Sequence, residues 1–313
     1  MERPSLRQLE CAVAVAEQLS FRRAAVACFI SQPALSLQIQ QLETLLGTRL
    51  FERDRRRVLL TPAGELLLPH LRGALLALDG LVEAARALGD PLAGTLRLGV
   101  IPTAAPYVLP DVIAPLRKRF PKLRLLLRED RTARLVERVL EGKLDLALLA
   151  LEAELGSLAT LALYSDPFVL VTPASHALAG RALARAKNIT DADLADEDVL
   201  LLEDGHCFRN QALSLCQRAG ARELGDFRAT SLNTLVRMVA SGTGITLLPA
   251  MAVATEVRTQ DRLVTLSLQR RASRTIGLAW RPATPRRETF EQLAEVFVEH
   301  APQGTVRIAR ARR

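Results

Sequence analysis

Apolar residues in the first sixty positions recur at helical spacing. Leu6, Leu9, Val13 and Ala16 predict a first amphipathic helix, and Ser20 is placed to cap a second over 20–27. Cys28-Phe29-Ile30 makes a short turn, after which Ser31 caps a third helix with Pro33 in its first turn, where a missing N–H is harmless. Leu35, Ile39, Leu42 and Leu46 form one narrow stripe, leaving Pro33, Ser36, Leu37, Gln40 and Thr44 on other faces. Residues 49–61 then read as two short strands with a basic tip. Helical spacing returns in Leu67, Leu71, Ala74, Leu78, Leu81, Ala85 and Leu88, and Gly89-Asp90-Pro91 ends that run. Pro69 is expected to kink this long helix or limit its start. Two short helices, a three-residue turn and a polar-ended third helix make a helix-turn-helix, here with a wing.

Beyond Pro91 strands and helices alternate. Strands are predicted at 96–101, 123–127 and 143–149, with helices running to Phe120 and over 134–141. A second half starts at Phe168-Val169-Leu170-Val171 and contains the apolar run 244–249; residues 275–280 return the chain to the first half. This is an α/β pattern with a largely parallel sheet, whose ligands sit at the carboxyl ends of strands.

The chain has 313 residues, enough for two or three domains, with 49% hydrophobic and 24% charged residues, as in ordinary soluble proteins. A formal charge of +8 suits a polyanionic partner. Met1-Glu2-Arg3-Pro4-Ser5 has no apolar signal core, and Pro69, His70, Arg72 and Asp79 interrupt the richest apolar stretch, so cytoplasm is expected and a membrane is not. Cys11 and Cys28 lie among apolar helix and turn residues and read as core fillers, not as redox partners. Cys207 and Cys216 are nine positions apart, and His206 and Arg209 flank the first, where positive neighbours favour a thiolate. Residues 213–219 read as helix ended by Gly220. If that helix began near Cys207, the sulfurs would lie roughly 13 Å apart along it on opposite faces. A disulfide needs Cα atoms within about 7 Å. Bridging the pair would then remodel the segment, as a redox switch requires. The alternative is that Cys216 is a small buried hydrophobe. His206, Cys207 and Cys216 supply at most three ligands, so neither metal nor cofactor is expected.

Ala24-Ala25, Ile30-Ser31-Gln32-Pro33-Ala34-Leu35-Ser36, Gln38-Ile39, Leu42-Glu43, Leu46-Gly47, Leu50-Phe51-Glu52-Arg53 and Thr61-Pro62-Ala63-Gly64 together resemble LysR-type transcriptional regulators. The resemblance implies an N-terminal all-α winged helix-turn-helix (1–61), a linker and dimerisation helix (62–90), and a two-lobed, periplasmic-binding-protein-like α/β effector domain (91–301). Lobe I would comprise about 91–166 and 273–301, lobe II about 167–272, and a basic tail 302–313. It further implies promoter DNA as partner, with Ser31, Gln32, Pro33 and Ser36 at the major groove and Arg53 and Arg56 on the wing. A homo-oligomer, dimer or tetramer, and contact with RNA polymerase are implied as well. Leu37 departs from the basic residue many members carry there, which removes one phosphate contact.

Five further segments are similar to the hydrogen-peroxide-sensing members of the family: Leu202-Glu203-Asp204-Gly205-His206-Cys207, Arg209 and Gln211 before Cys216, Ile101-Pro102-Thr103, Phe227-Arg228-Ala229-Thr230-Ser231-Leu232, and Arg274-Thr275-Ile276-Gly277-Leu278. The similarity implies Cys207 as the sulfur that peroxide attacks, Cys216 as the resolving sulfur, and His206, Thr103 and Arg274 as groups holding the peroxide or the sulfur. The residues by themselves leave Thr103 as a cap for the helix before Tyr107, and Arg274 as an ion pair between lobes. Asn210 stands where a relative carries an acid; an amide hydrogen-bonds but cannot take a proton. Two alternatives remain in view, an organic effector in the interlobe crevice and a thiol peroxidase. Against an enzyme, Asp204 occupies the threonine position of the Pro-x-x-x-Thr-x-x-Cys pattern.

Overall fold

Three serines set the start of the N-terminal helices in the computed structural model, which describes residues 3–53, 57–87, 92–180, 188–269 and 272–308. Ser5, Ser20 and Ser31 accept the N–H of Gln8, Arg23 and Ala34, opening α1 (Leu6–Gln18), α2 (Phe21–Ala27) and α3 (Gln32–Leu46). Leu35, Ile39 and Leu42 are fully buried against Val15 and Ala24, so the apolar stripe of α3 is the seam of a three-helix core. β1 (Phe51–Arg53) and β2 (Val58–Leu60) pair antiparallel as the wing.

The wing is tied to α3 by Glu43, whose Oε1 accepts the N–H groups of Leu50 (2.8 Å) and Phe51 (3.2 Å). Thr61 donates its hydroxyl to the Arg49 carbonyl at 2.6 Å and accepts the Gly64 N–H at 2.9 Å, opening α4 (Pro62–Ala87). Position 64 has no room for a side chain, because a Cβ there would lie 2.1 Å from the Leu50 carbonyl oxygen. The helix continues through Pro69, which therefore does not limit its start. Leu71 packs into the helical core, whereas Leu66, Leu78, Leu81 and Val82 are exposed. Residues 1–89 form one compact unit and 90–313 a second.

In the second unit β3 (Gly94–Val100) runs parallel to β4 (Leu123–Glu129) and β5 (Leu146–Ala150). β7 (Asp198–Leu202) runs parallel to β8 (Arg222–Ala229) and β9 (Ile245–Pro249). Between these sets stand β6 (Ala159–Pro173) and β11 (Ser273–Trp280), antiparallel to each other. The order is β4-β3-β5-β11-β6-β9-β7-β8. The expected parallel character holds for the outer strands; the centre is antiparallel because β6 and β11 carry the chain between lobes. The boundary expected between 166 and 167 falls inside β6, where its neighbour changes from β11 to β9 and β10 (Leu263–Ser267). The tail expected from 302 is corrected in part. β12 (Val306–Arg307) pairs with Ser165 and Tyr164 of β6, and Ile308 donates its N–H to the Leu163 carbonyl, so main-chain hydrogen bonding ties part of that segment to the sheet. Residues 309–313 lie outside the described residues.

Gly64→Ala should lower the stability of the N-terminal unit by about 1–3 kcal/mol, the usual penalty of forcing atoms into a filled site. Gly73→Ala on the same helix, where a Cβ meets nothing within 4 Å, is the control. Thermal unfolding of both variants checks this.

Candidate redox site and nucleic-acid-reading surface

α8 (Cys207–Ala219), which follows α5 (Ala105–Arg119), α6 (Thr132–Leu140) and α7 (Asp191–Leu194), carries both effector-unit cysteines. It is one unbroken helix of 13 residues, with Cys207 as its first residue and His206 as its N-cap. Gly205 (φ 93°) turns the chain into it, and Gly220 (φ 75°) closes it by donating its N–H to the Cys216 and Gln217 carbonyls. Nine residues of helix separate the sulfurs by roughly 13 Å and turn them to opposite faces. Cys207 is half-buried; Cys216, at 1% exposure, belongs to the core, and both are free thiols. Burial pushes the Cys216 thiol up to about 11.

Neither flanking residue is a free cation. Burial, followed by the nearby Arg131 guanidinium, pulls His206 below its usual range, so the imidazole is neutral at pH 7 and can hydrogen-bond without adding charge. Arg209 is buried and donates to Asp204 Oδ1 (2.8 Å) and, through both terminal nitrogens, to Glu223 (2.8 and 3.3 Å). Arg228 reaches the second Asp204 oxygen at 2.7 Å, closing a network of two cations and two carboxylates. The expected activation of Cys207 by His206 and Arg209 is thus corrected: the charges cancel locally. Cys207 itself stands at the N-terminus of α8, the positive end of the helix dipole.

Arg274 has no exposed surface. Its Nε donates to Asp166 (2.9 Å), Nη1 to Thr103 Oγ1 (2.7 Å) and Nη2 to the Thr103 carbonyl (2.9 Å). The guanidinium lies 5.4 Å from the centre of the Phe208 ring, and Phe208 meets Phe168 edge-on at 5.2 Å. Arg274 and Thr103 are therefore brought together, and their link to α8 runs through Phe208, the neighbour of Cys207. Thr103 does not cap α5, whose N-cap is Ala104 with no side-chain bond. Burial pushes Asp166 up, while Arg274 and the Met251 N–H pull it back. Gln211, one turn along α8, donates to Glu152, which accepts the Thr275 N–H at 2.6 Å. Asn210 is exposed.

Sequence reasoning missed Asp166, an acid inside an apolar strand, and Thr132, the first residue of α6, whose buried Oγ1 has no hydrogen-bond partner among the described residues. Thr103 and Thr132 follow the carboxyl ends of the parallel neighbours β3 and β4, and the 203–207 loop follows that of β7. These are the positions where α/β sheets take ligands. Arg131, beside Thr132, pairs with Glu203 and packs against Gly205, joining that wall to the loop before α8. Among the described residues no group of three or more His, Cys, Asp or Glu side chains is placed to hold a metal ion.

On the N-terminal unit Ser31, Gln32 and Pro33 are exposed at the start of α3, and Ser36 is half-exposed one turn later. Arg53 ends β1; its side chain and the whole of Arg56 lie outside the described residues. No helix among the described residues is long and apolar enough to cross a membrane.

Residues 6–65 match the bacterial regulatory helix-turn-helix protein model of the lysR family, and 89–302 match the LysR substrate binding domain model. The chain is 46% identical over 294 residues to the DNA-binding transcriptional dual regulator OxyR of Escherichia coli (strain K12), covering 94% of each. It resembles a cysteine-to-aspartate variant of full-length OxyR from Pseudomonas aeruginosa, with TM-score 0.78, 31% identity, and 99% and 100% coverage. It also resembles an H2O2-bound cysteine-to-serine variant of Corynebacterium glutamicum OxyR, with TM-score 0.64, 37% identity, and 96% and 93% coverage.

Iodoacetamide should label Cys207 in the native reduced protein at least about tenfold faster than Cys216. The difference should narrow as pH rises toward 11, where Cys216 ionises, and vanish in urea. Peptide mass spectrometry over time reads both rates. Asp166→Asn, which leaves Arg274 as an uncompensated buried charge, should destabilise the effector unit by about 3–5 kcal/mol. Thr103→Val, which removes one hydrogen bond to a charged group, should cost about 1.5–3 kcal/mol. Urea unfolding ranks the two.

Proposed function

We propose, since the chain belongs to the LysR family of bacterial helix-turn-helix regulators, that it is a transcriptional regulator of oxidative-stress genes whose signal is hydrogen peroxide. The observation that carries this reading is one helix holding a half-buried cysteine at its positive end and a fully buried cysteine on its opposite face. The Cys207 thiolate attacks one peroxide oxygen; an S–O bond forms, the O–O bond breaks, and hydroxide leaves. Cys216 then attacks the sulfenic sulfur, an S–S bond forms, and water departs. Each disulfide consumes one peroxide and is reset by a cellular reductant, so the chain acts as a sensor and not as an enzyme. Thr103 and Thr132 hydroxyls and the neutral His206 supply hydrogen bonds that position peroxide in the crevice, and Arg274 holds Thr103 in place.

Because α8 keeps the sulfurs apart, the disulfide requires α8 to unwind and Cys216 to leave the core, and Arg209 must release Glu223. The two redox states are thus two packings of residues 203–229, and they bias the effector lobes differently. Ser31, Gln32, Pro33 and Ser36 read promoter DNA in the major groove, with Arg53 and Arg56 on the wing. The exposed Leu78, Leu81 and Val82 on α4 pair protomers into a dimer or tetramer that recruits RNA polymerase in the cytoplasm.

The test is a stoichiometric peroxide pulse on reduced protein, followed by non-reducing digestion and mass spectrometry. The expected product is a Cys207–Cys216 peptide that dithiothreitol abolishes. Cys207→Ser should lose the response while retaining fold and DNA binding. Free thiols at both positions after the pulse would overturn the reading in favour of an organic effector in the crevice.

A further inference from the structure

The buried seam of α3 leaves the opposite face of that helix outward, and the residue at the middle of the outward face is a leucine. Leu35, Ile39 and Leu42 are buried. At about 100° per residue, Leu37 stands about 200° round the helix from Leu35 and from Ile39, and about 140° from Leu42. Leu37 is 52% exposed. Pro33, one turn before it, and Gln41 and Thr44, one and two turns after it, share that face and are exposed as well. The polar members of the face are partly committed to the protein itself. Thr44 donates its hydroxyl to the Gln40 carbonyl at 2.8 Å, and Gln41 Oε1 accepts from Gln8 Nε2 at 3.5 Å. Pro33 and Leu37 have no polar side-chain atom, so the centre of the face presents carbon.

We propose that Leu37 is a specificity-determining residue of this chain, which reads a thymine by packing on its C5 methyl group. The inference rests on the reading of α3 as the helix that enters the major groove, and it names what that helix selects there. In the groove guanine shows N7 and O6, adenine N7 and N6, cytosine N4, and thymine O4 beside its methyl, the one apolar group among these edges. A leucine pressed on guanine or cytosine strips water from groups that it cannot hydrogen-bond, which is unfavourable. On a thymine methyl it removes water from carbon on both sides, which is favourable. A lysine or arginine at the same place would reach a phosphate and read no sequence. Leu37 therefore gives up general affinity for a base preference.

In the experiment the full reduced chain selects a duplex from a random pool, and each thymine of that duplex is then replaced singly by deoxyuridine, which lacks only the C5 methyl. At one thymine or more the replacement should weaken binding roughly fourfold, the worth of one buried methyl group. Leu37→Ala should bind the thymine duplex more weakly by a similar factor and lose nothing further on deoxyuridine at that position, because the two changes remove one contact. Leu37→Lys should show the same insensitivity to the methyl, while binding unrelated duplexes more tightly and steepening the logarithmic salt dependence by about 1. Thermal unfolding confirms that both variants fold. A deoxyuridine effect that survives unchanged in both variants assigns the methyl to a neighbour such as Pro33 and overturns the proposal. A duplex bound equally with thymine or deoxyuridine at every position overturns it too. Failure to enrich any duplex is a different failure: it overturns the DNA-reading function itself, and this assignment falls with it.

Discussion

An arginine without solvent must find an acceptor for its N–H groups or be expelled from the core. Arg274 finds them in Asp166 and in both oxygens of Thr103, with the Phe208 ring beside its face. Three parts of the effector unit meet at that one group: the crossing strand β6, the first-lobe turn after β3, and the sensor helix. The pair is fully dehydrated, so its attraction is little screened, and loss of either partner strands a charge. Everything the cysteine segment does is done against this fixed point. α8 can be rebuilt because its neighbours are not held by α8 alone.

The sensor helix itself is held by more local interactions. Its two glycine turns, the Arg209–Asp204–Glu223 network near the surface and the apolar seat of Cys216 define the reduced packing. Each is worth a few kcal/mol at most, in line with other hydrogen-bonded charges and single buried side chains. A covalent bond between the sulfurs can outweigh their sum, while the Arg274 cluster and the shared β6 stay intact. The division of labour is between a clamp that persists and a helix that yields.

Much of this was legible in the sequence, for definite reasons. Capping serines, the Leu35–Ile39–Leu42 stripe and Gly220 act through local geometry, so their spacing suffices to place helices. The Thr61-Pro62-Ala63-Gly64 motif was visible as a motif, but its cause, a carbonyl pressed against position 64, belongs to packing across the wing. The distance between Cys207 and Cys216 could be derived because one helix holds both. Side-chain partners distant in sequence could not. His206 and Arg209 looked like cations near a sulfur, and only the fold shows one desolvated to neutrality and the other neutralised by Glu223, fourteen residues on. Asp166 finding Arg274 across 108 positions is a tertiary fact of the same kind.

The unbroken α8 also bears on time. A sensor that merely bound its signal would report the concentration of the moment and relax as the ligand left. Here the sulfurs start two and a half turns apart, so returning from the bridged form takes both a reductant and the rewinding of a helix. The protein therefore keeps a record of a peroxide pulse after the peroxide is gone. The duration of that record is set by the thiol chemistry of the cell and not by the pulse.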